Sequence, residues 1–266
     1  MASFCDAGVN LFSNQFDADR AEVIERAKQH AVQQLLLISS DLPESALNLA
    51  FCQNHSGVFC TAGVHPHQAA GVPSDWVQQL RPLLNEPAVV AVGECGLDFN
   101  RDFSPRNTQL QVFEQQLQLA SELQKPVYLH ERDAFADQLA LLRAYPGITG
   151  VAHCFTGNKA QLTAYLDLGL LIGITGWLCD ERRNQELTEA IQYLPLDRIL
   201  LETDAPYLLP RTLAAKPKNR RNEPAFISEI ASYLAALKQL SLAQVAEQTS
   251  LNFSRVFRLM EHRDGL

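Results

Sequence analysis

The sequence predicts an α/β fold, a single (β/α)8 TIM barrel, and two observations predict it. Short continuous apolar runs, such as QLLLIS at 34–39 and AVVAVG at 88–93, recur along the chain. Runs of that kind suit strands buried on both faces, as in a parallel sheet. Between them lie stretches with apolar residues three and four apart, the period of a helix packed on one face. Eight strand-like runs, each followed by a helical stretch, favour a closed barrel over an open doubly wound sheet.

In chain order the strands fall at 4–11, 34–39, 58–65, 89–97, 127–130, 150–155, 170–176 and 199–204. The first helix is expected at 18–30, with Ala21, Ile24, Ala27 and Lys28 on a shared face. Others are expected at 44–54, 75–85, 107–124, 135–145, 159–168 and 185–193, and two more close the chain at 224–237 and 242–259. Within 107–124 the spacing of Leu110, Phe113, Leu117 and Ala120 marks the buried face. The long irregular stretch at 207–223, rich in Pro, Lys, Arg and Asn, reads as a loop after the eighth strand. No linker, repeat or low-complexity tract divides the 266 residues, so one domain over 1–266 is expected.

Composition narrows the class. Hydrophobic residues make up 47% and charged residues 20%, a soluble globular balance. No basic segment followed by an apolar core opens the chain, and no apolar stretch is long enough for a bilayer, so the expected address is the cytoplasm. The six cysteines, at 5, 52, 60, 95, 154 and 179, form no CxxC pair and read as buried thiols. A net charge of −8 disfavours a broad footprint on duplex DNA but leaves room for a nucleic-acid strand entering a small positive cleft. The outer helices show no extra apolar stripe, which suggests a monomer.

In a barrel the chemistry sits at the C-terminal ends of the strands. Strand three ends in GVHPH with His65 and His67, and strand four in GECGLD with Glu94 and Asp98. Strand five ends at His130, strand six at His153, and strand eight at Glu202 and Asp204. Four of the seven histidines thus stand at strand ends, while His30, His55 and His262 read as solvated. Buried Glu94, His130, His153 and Asp204 meeting at one barrel mouth would be costly unless paired or bound to metal. Two imidazoles with two carboxylates suit a divalent cation such as zinc, manganese or magnesium. Alternation along a strand would turn Cys95 and Cys154 away from that mouth and under the helices.

GVHPH, VGECGLDFNR, LHERDA, HCFTG, GITGWLCDERR, LLETDAPYLLPR and RRNEP together resemble the motifs of the TatD-family deoxyribonucleases. The likeness runs from DAGVNL near the start to about RRNEP, and more loosely through the last helices. It implies a barrel of the metal-dependent hydrolase class with magnesium-type dependence, manganese or zinc being alternatives. It further implies 3′–5′ exonuclease action on single-stranded DNA, with RNA as a further candidate substrate, and a role in DNA repair or degradation. By that resemblance Glu94, His130 and His153 are metal ligands, Asp204 the group that orients or deprotonates water, and His65 a contact to the scissile phosphate or leaving group. Most of the family carries a His-x-His pair at the end of strand one, where this sequence has Gly8 and Asn10. One metal site is therefore expected to be depleted, leaving a single ion or a second one completed by substrate phosphate.

Phosphate binding calls for cations. Arg132, Arg182 and Arg183, Arg220 and Arg221 are the candidates for substrate contact, with Glu202 as a weaker supporting group. Phe99, Phe155, Trp177 and Tyr207 lie near strand ends and could stack bases. Three other readings compete. A hydrolase of small amides, lactones or cyclic ureas often uses a carboxylated lysine on strand four, where Glu94 stands here. A Schiff-base aldolase needs a lysine at a strand end, and none of the six (28, 125, 159, 216, 218 and 238) sits there. A non-catalytic single-strand binder rests only on the missing His-x-His pair.

Overall fold

The structure, a computed structural model, describes residues 2–259. In chain order it contains β1 (Phe4–Val9), α1 (Arg20–Gln29), β2 (Val32–Leu37), α2 (Leu42–Cys52), β3 (Val58–Ala62), α3 (Trp76–Leu84), β4 (Val89–Asp98) and α4 (Arg106–Leu123). These are followed by β5 (Val127–Arg132), α5 (Phe135–Ala144), β6 (Gly150–Ala152), α6 (Lys159–Asp167), β7 (Leu171–Ile174), α7 (Gln185–Ile191), β8 (Ile199–Leu201), α8 (Ile227–Lys238) and α9 (Leu242–Val256). The sheet carries its eight strands in the order β1 to β8, as the alternation of apolar runs and amphipathic stretches predicts. No helix among the described residues is long and apolar enough to cross a membrane.

By contact density the chain falls into two compact units. One comprises residues 1–36, 154–163 and 172–266, the other residues 37–153 and 164–171. In the first, β7 and β8 run parallel, and β1 meets the end of β8 through a parallel bridge between Val9 and Ala205. Asn10 N donates to Ala205 O (2.8 Å) and Asp204 N to Gly8 O (2.9 Å). Buried Asp6 tightens this seam, its carboxylate accepting from Thr203 N (2.8 Å) and Thr203 Oγ1 (2.5 Å). First and last strand are therefore neighbours, which an open sheet of this order would not allow. The helix α9 starts at a capping box formed by Ser241 and Gln244. Its Asn252 reaches the strand layer, donating to Leu196 O (2.9 Å) and Ile199 O (2.8 Å).

The second unit carries β3, β4, β5 and β6 as consecutive parallel neighbours. Here the strand ends depart from a regular ladder, and buried glutamines repair the backbone. Gln116 of α4 accepts from Val64 N (2.8 Å) and donates to Val64 O (3.0 Å). Gln109 does the same for Asp98, accepting from its N (2.9 Å) and donating to its O (3.1 Å). Gln138 of α5 accepts from Leu97 N (3.1 Å). Unpaired buried backbone groups are costly, which explains why polar residues occupy the inner face of α4. That face holds Gln109, Val112, Phe113, Gln116, Leu117, Leu119 and Ala120, whereas Leu110 is only half-buried.

Other boundaries move for similar reasons. Strands β1, β3, β6 and β8 are shorter than their apolar runs, because the chain leaves the ladder to turn into the loops beyond. Asp204 and Cys154 both adopt positive φ, 54° and 45°. The α1 face is Val23, Ile24 and Ala27, with Ala21 and Lys28 exposed, a correction to the face inferred from spacing. All six cysteines are free thiols, and all but Cys154 are buried. The alternation argument fails at Cys154 because β6 ends two residues earlier, leaving that thiol half-buried with its Sγ 3.4 Å from Thr175 Oγ1. His30 is exposed, His55 stacks on Phe51 (3.7 Å between ring centres), and His262 lies outside the described residues.

Strand β4 needs glycine at two places. Gly93 and Gly96 have φ of 150° and 136°. A Cβ on Gly96 would stand 1.9 Å from His130 O. The substitution Gly96→Ala is expected to destabilise the protein by about 3 kcal/mol or more, read as a lowered urea midpoint.

Candidate metal centre

The site grows out of an irregularity in β4. Its register with β5 shifts between Gly93 and Cys95, so that Glu94 sits on a bulge. Bulges re-aim side chains. Glu94 N donates to Ser39 O (2.8 Å), which ties the bulge down. The Glu94 carboxylate is buried and ringed by imidazoles. Its Oε1 lies 2.9 Å from His130 Nδ1, 3.6 Å from His65 Nε2 and 3.9 Å from His153 Nε2.

Asp98, at the end of β4 and nearly inaccessible, forms the second anionic point. Its Oδ2 lies 2.7 Å from His67 Nε2 and 3.3 Å from His130 Nε2. Its Oδ1 accepts from Asn100 N (3.0 Å) and Arg101 N (2.8 Å). His130 thus bridges two carboxylates with its two nitrogens. Burial pushes the His130 ring down, but its hydrogen bonds to the carboxylates of Asp98 and Glu94 outweigh it and raise the ring to about 9. Burial works to raise both carboxyls, yet His65, His130 and His153 hold Glu94 well below the usual range. His130, the Arg101 N–H and His67 do the same for Asp98.

His65 differs. It precedes the short 3-10 turn Pro66–Gly71, and its Nδ1 accepts from His67 N (3.0 Å). That lone pair is occupied, so the neutral ring carries its proton on Nε2, on the side of Glu94. Burial, opposed by Glu94, pushes this ring down to about 3 and keeps it neutral. His153 is held by a side chain instead of the backbone. Its Nδ1 is 2.6 Å from Tyr128 Oη, while Nε2 looks toward Glu94. A histidine held at one nitrogen presents the other as a ligand.

These residues fit a divalent cation. Ligand atoms of His65, Glu94 and His130 all lie within 4.8 Å of one another, and imidazole nitrogen with carboxylate oxygen is a donor set for zinc, manganese or magnesium. Two buried carboxylates demand positive charge, which the His130 imidazolium supplies and a cation would supply equally. With its Nδ1 accepting from His67 N, the neutral His65 ring turns an N–H toward Glu94. Asp98 and His67, flanking the centre, carry no signal in the sequence beyond their strand-end positions.

Asp204 and Asn10 belong to the first unit, where Asn10 Nδ2 donates to Asp204 Oδ1 (2.9 Å). A carboxylate only accepts, so Asn10 turns its nitrogen toward it, and a donor stands where most of the family is expected to place a ligand. Glu202 is fully buried, accepts from Cys154 N (3.0 Å) and packs over Gly173, where a Cβ would be 2.3 Å from its Oε1. Its placement is that of a strand support. Arg132 is exposed at the end of β5. Arg183 stacks on Trp177 (3.6 Å) and pairs with Asp180 (3.0 Å), which also holds Arg182. Arg220 is exposed, as is Tyr207, while Phe155 is buried.

Arg221 is placed as a structural residue. Buried, it donates to Asp19 Oδ1 and Oδ2 (2.7 Å each), Glu223 Oε1 (2.7 Å) and Gln15 O (2.6 Å), and Arg26 closes the ring of charges. Both Nη groups of its guanidinium are engaged by these partners.

Fold and site together define a parallel α/β-barrel hydrolase. The description "TatD related DNase" matches residues 5–258. The chain is 47% identical over 264 residues to the 3′-5′ ssDNA/RNA exonuclease TatD of Rahnella sp. (strain Y9602), covering 97% of this chain and 99% of that protein. It is 48% identical over 260 residues to the protein of the same name from Edwardsiella piscicida, covering 96% and 99%. Among solved structures, a TatD homologue of Escherichia coli K12 superposes with a TM-score of 0.88 at 27% identity, over 96% of this chain and 98% of that one. The chain belongs to the TatD-related DNase family.

Two measurements check the site. Manganese or zinc at about 100 times its dissociation constant should raise the stability of the protein by about 2.7 kcal/mol, and Glu94→Gln should abolish that thermal shift. Arg221→Ala should lower the unfolding free energy by about 2 kcal/mol, because charged groups lose hydrogen bonds, while kcat measured well below the melting temperature stays within two-fold, an allowance of about 0.4 kcal/mol.

Proposed function

We propose that this chain is a divalent-metal-dependent nuclease that removes nucleotides from the 3′ end of single-stranded DNA, and of RNA as well. The observation that carries the reading is the buried Glu94 carboxylate ringed by nitrogens of His65, His130 and His153, in a member of the TatD-related DNase family. The named relatives, 3′-5′ ssDNA/RNA exonucleases at 47% and 48% identity, support the substrate and direction.

In this reading Glu94, His130 and His153 hold the cation. Bound there, it supplies Lewis-acid polarisation of a phosphoryl oxygen and lowers the pKa of a water. Asp98 holds the His130 ring from its far side, and Tyr128 holds His153. His65, neutral with its proton on Nε2, donates a hydrogen bond to an oxygen of the scissile phosphate. Asp204, oriented by Asn10, is the base for water. Arg132 and Arg183, both exposed, are the candidate contacts to the strand's other phosphates. Magnesium is the proposed physiological ion, a monomer the proposed assembly, the cytoplasm the proposed location and DNA repair or degradation the proposed role. The uninterrupted family match over 5–258 supports treating 1–266 as one functional domain.

A 5′-labelled single-stranded oligonucleotide tests the reading. In magnesium the label should run as a ladder shortening from the 3′ end, abolished by EDTA and by Glu94→Ala. An intact strand in magnesium, manganese and zinc alike would sink it and return the small amide or lactone hydrolase to first place.

A further inference from the structure

Residues 99–105, which join β4 to α4, are pinned at nearly every position but one. Asn100 N and Arg101 N both donate to Asp98 Oδ1, and Asn100 Nδ2 donates to Asp133 Oδ2 (2.7 Å). Asp102 pairs with Arg106 through two bonds. Ser104 is fully buried: it accepts from Ala70 N (3.0 Å), donates to His67 O (3.0 Å), and its carbonyl accepts from Gln109 (2.8 Å). Between these anchors Phe103 is 65% exposed, the most exposed large hydrophobic residue described. A lone exposed apolar residue needs no explanation, but this one is held out by a loop anchored on both sides of it, at Asn100 and Arg101 and at Asp102 and Ser104.

Its neighbours connect it to the metal centre. The Phe103 ring meets His67 edge-on (4.8 Å between centres, 70°), and His67 meets His65 in the same manner (4.3 Å, 74°). His65 in turn meets His130 (4.5 Å, 64°). A continuous run of rings therefore leads from the Glu94 site to a face of Phe103 open to solvent. Single-stranded nucleic acid is held by such faces, since every base can stack on an aromatic ring regardless of sequence.

We propose that Phe103 is a stacking platform for a nucleobase beside the reacting phosphate, and so a positioning residue that sets how the strand end is presented. This rests on the nuclease reading above. Stacking on an open ring is indifferent to base identity and sugar type, which suits a strand-end enzyme that acts on many sequences.

The test combines Phe103→Ala, Phe103→Leu and Phe103→Trp with oligonucleotides carrying one abasic nucleotide at successive positions from the 3′ end. On intact strands Phe103→Ala should raise KM about ten-fold with kcat little changed, Phe103→Trp should restore it and Phe103→Leu should not. Wild type should be slowed most by an abasic nucleotide at one position, and on that strand Phe103→Ala should add no further loss. Additive losses, or an unchanged KM on intact strands, would overturn the inference while leaving the nuclease reading in place. A wild-type protein that degrades no strand at all overturns the nuclease reading and this inference with it.

Discussion

Two carboxylates, Glu94 and Asp98, are buried at the end of one strand with the His130 ring between them. Taking a carboxylate out of water costs several kcal/mol unless its charge is matched. The local structure can be understood as the means of matching it. The bulge at Glu94 aims the carboxylate at His65, His130 and His153. Gly93 and Gly96 let the irregular strand approach β5 closely enough for that aim. The glutamines of α4 and α5 accept and donate where the bulged strand and the turn after β3 can no longer pair.

The same constraint separates histidines that look alike in sequence. His65 is fixed by a backbone N–H at Nδ1 and keeps its proton toward the centre, whereas His153 is held at Nδ1 by the Tyr128 hydroxyl with its Nε2 toward Glu94. Arginines divide by the partners they find. Arg221 is consumed by Asp19 and Glu223, while Arg183 stays exposed over an indole face. Asn10 shows how a departure from the family pattern is absorbed, since its amide donates to Asp204.

Much of the fold was legible in the chain. Among the described residues, apolar runs placed the eight strands and helical spacing placed the nine α-helices, with errors mainly at strand ends. Those errors share a cause. A run such as that at 150–155 continues after the ladder has stopped, because His153 and Phe155, which leave the sheet, are still buried. Spacing also misjudged the α4 face. It sought hydrophobic residues and passed over Gln109 and Gln116, whose burial is justified only by strand backbone far away in sequence. The candidate centre was legible in outline, since Glu94, His130 and His153 stood at strand ends. Its supports, Asp98 and His67, were visible only as strand-end residues without a role, and the exposed Phe103 was not singled out.

By itself the sequence determined the alternation of strands and helices, the parallel barrel, the family motifs and the acidic and imidazole residues available at the strand ends. These are local or additive properties, written in periodicity and composition. Tertiary structure decided which nitrogen of each histidine faces inward, which arginine is buried among carboxylates, which thiol is left half-buried and which aromatic ring stands in solvent. Each of these depends on a hydrogen-bond or packing partner brought from elsewhere in the chain, and a polar group's role follows from that partner rather than from its own identity.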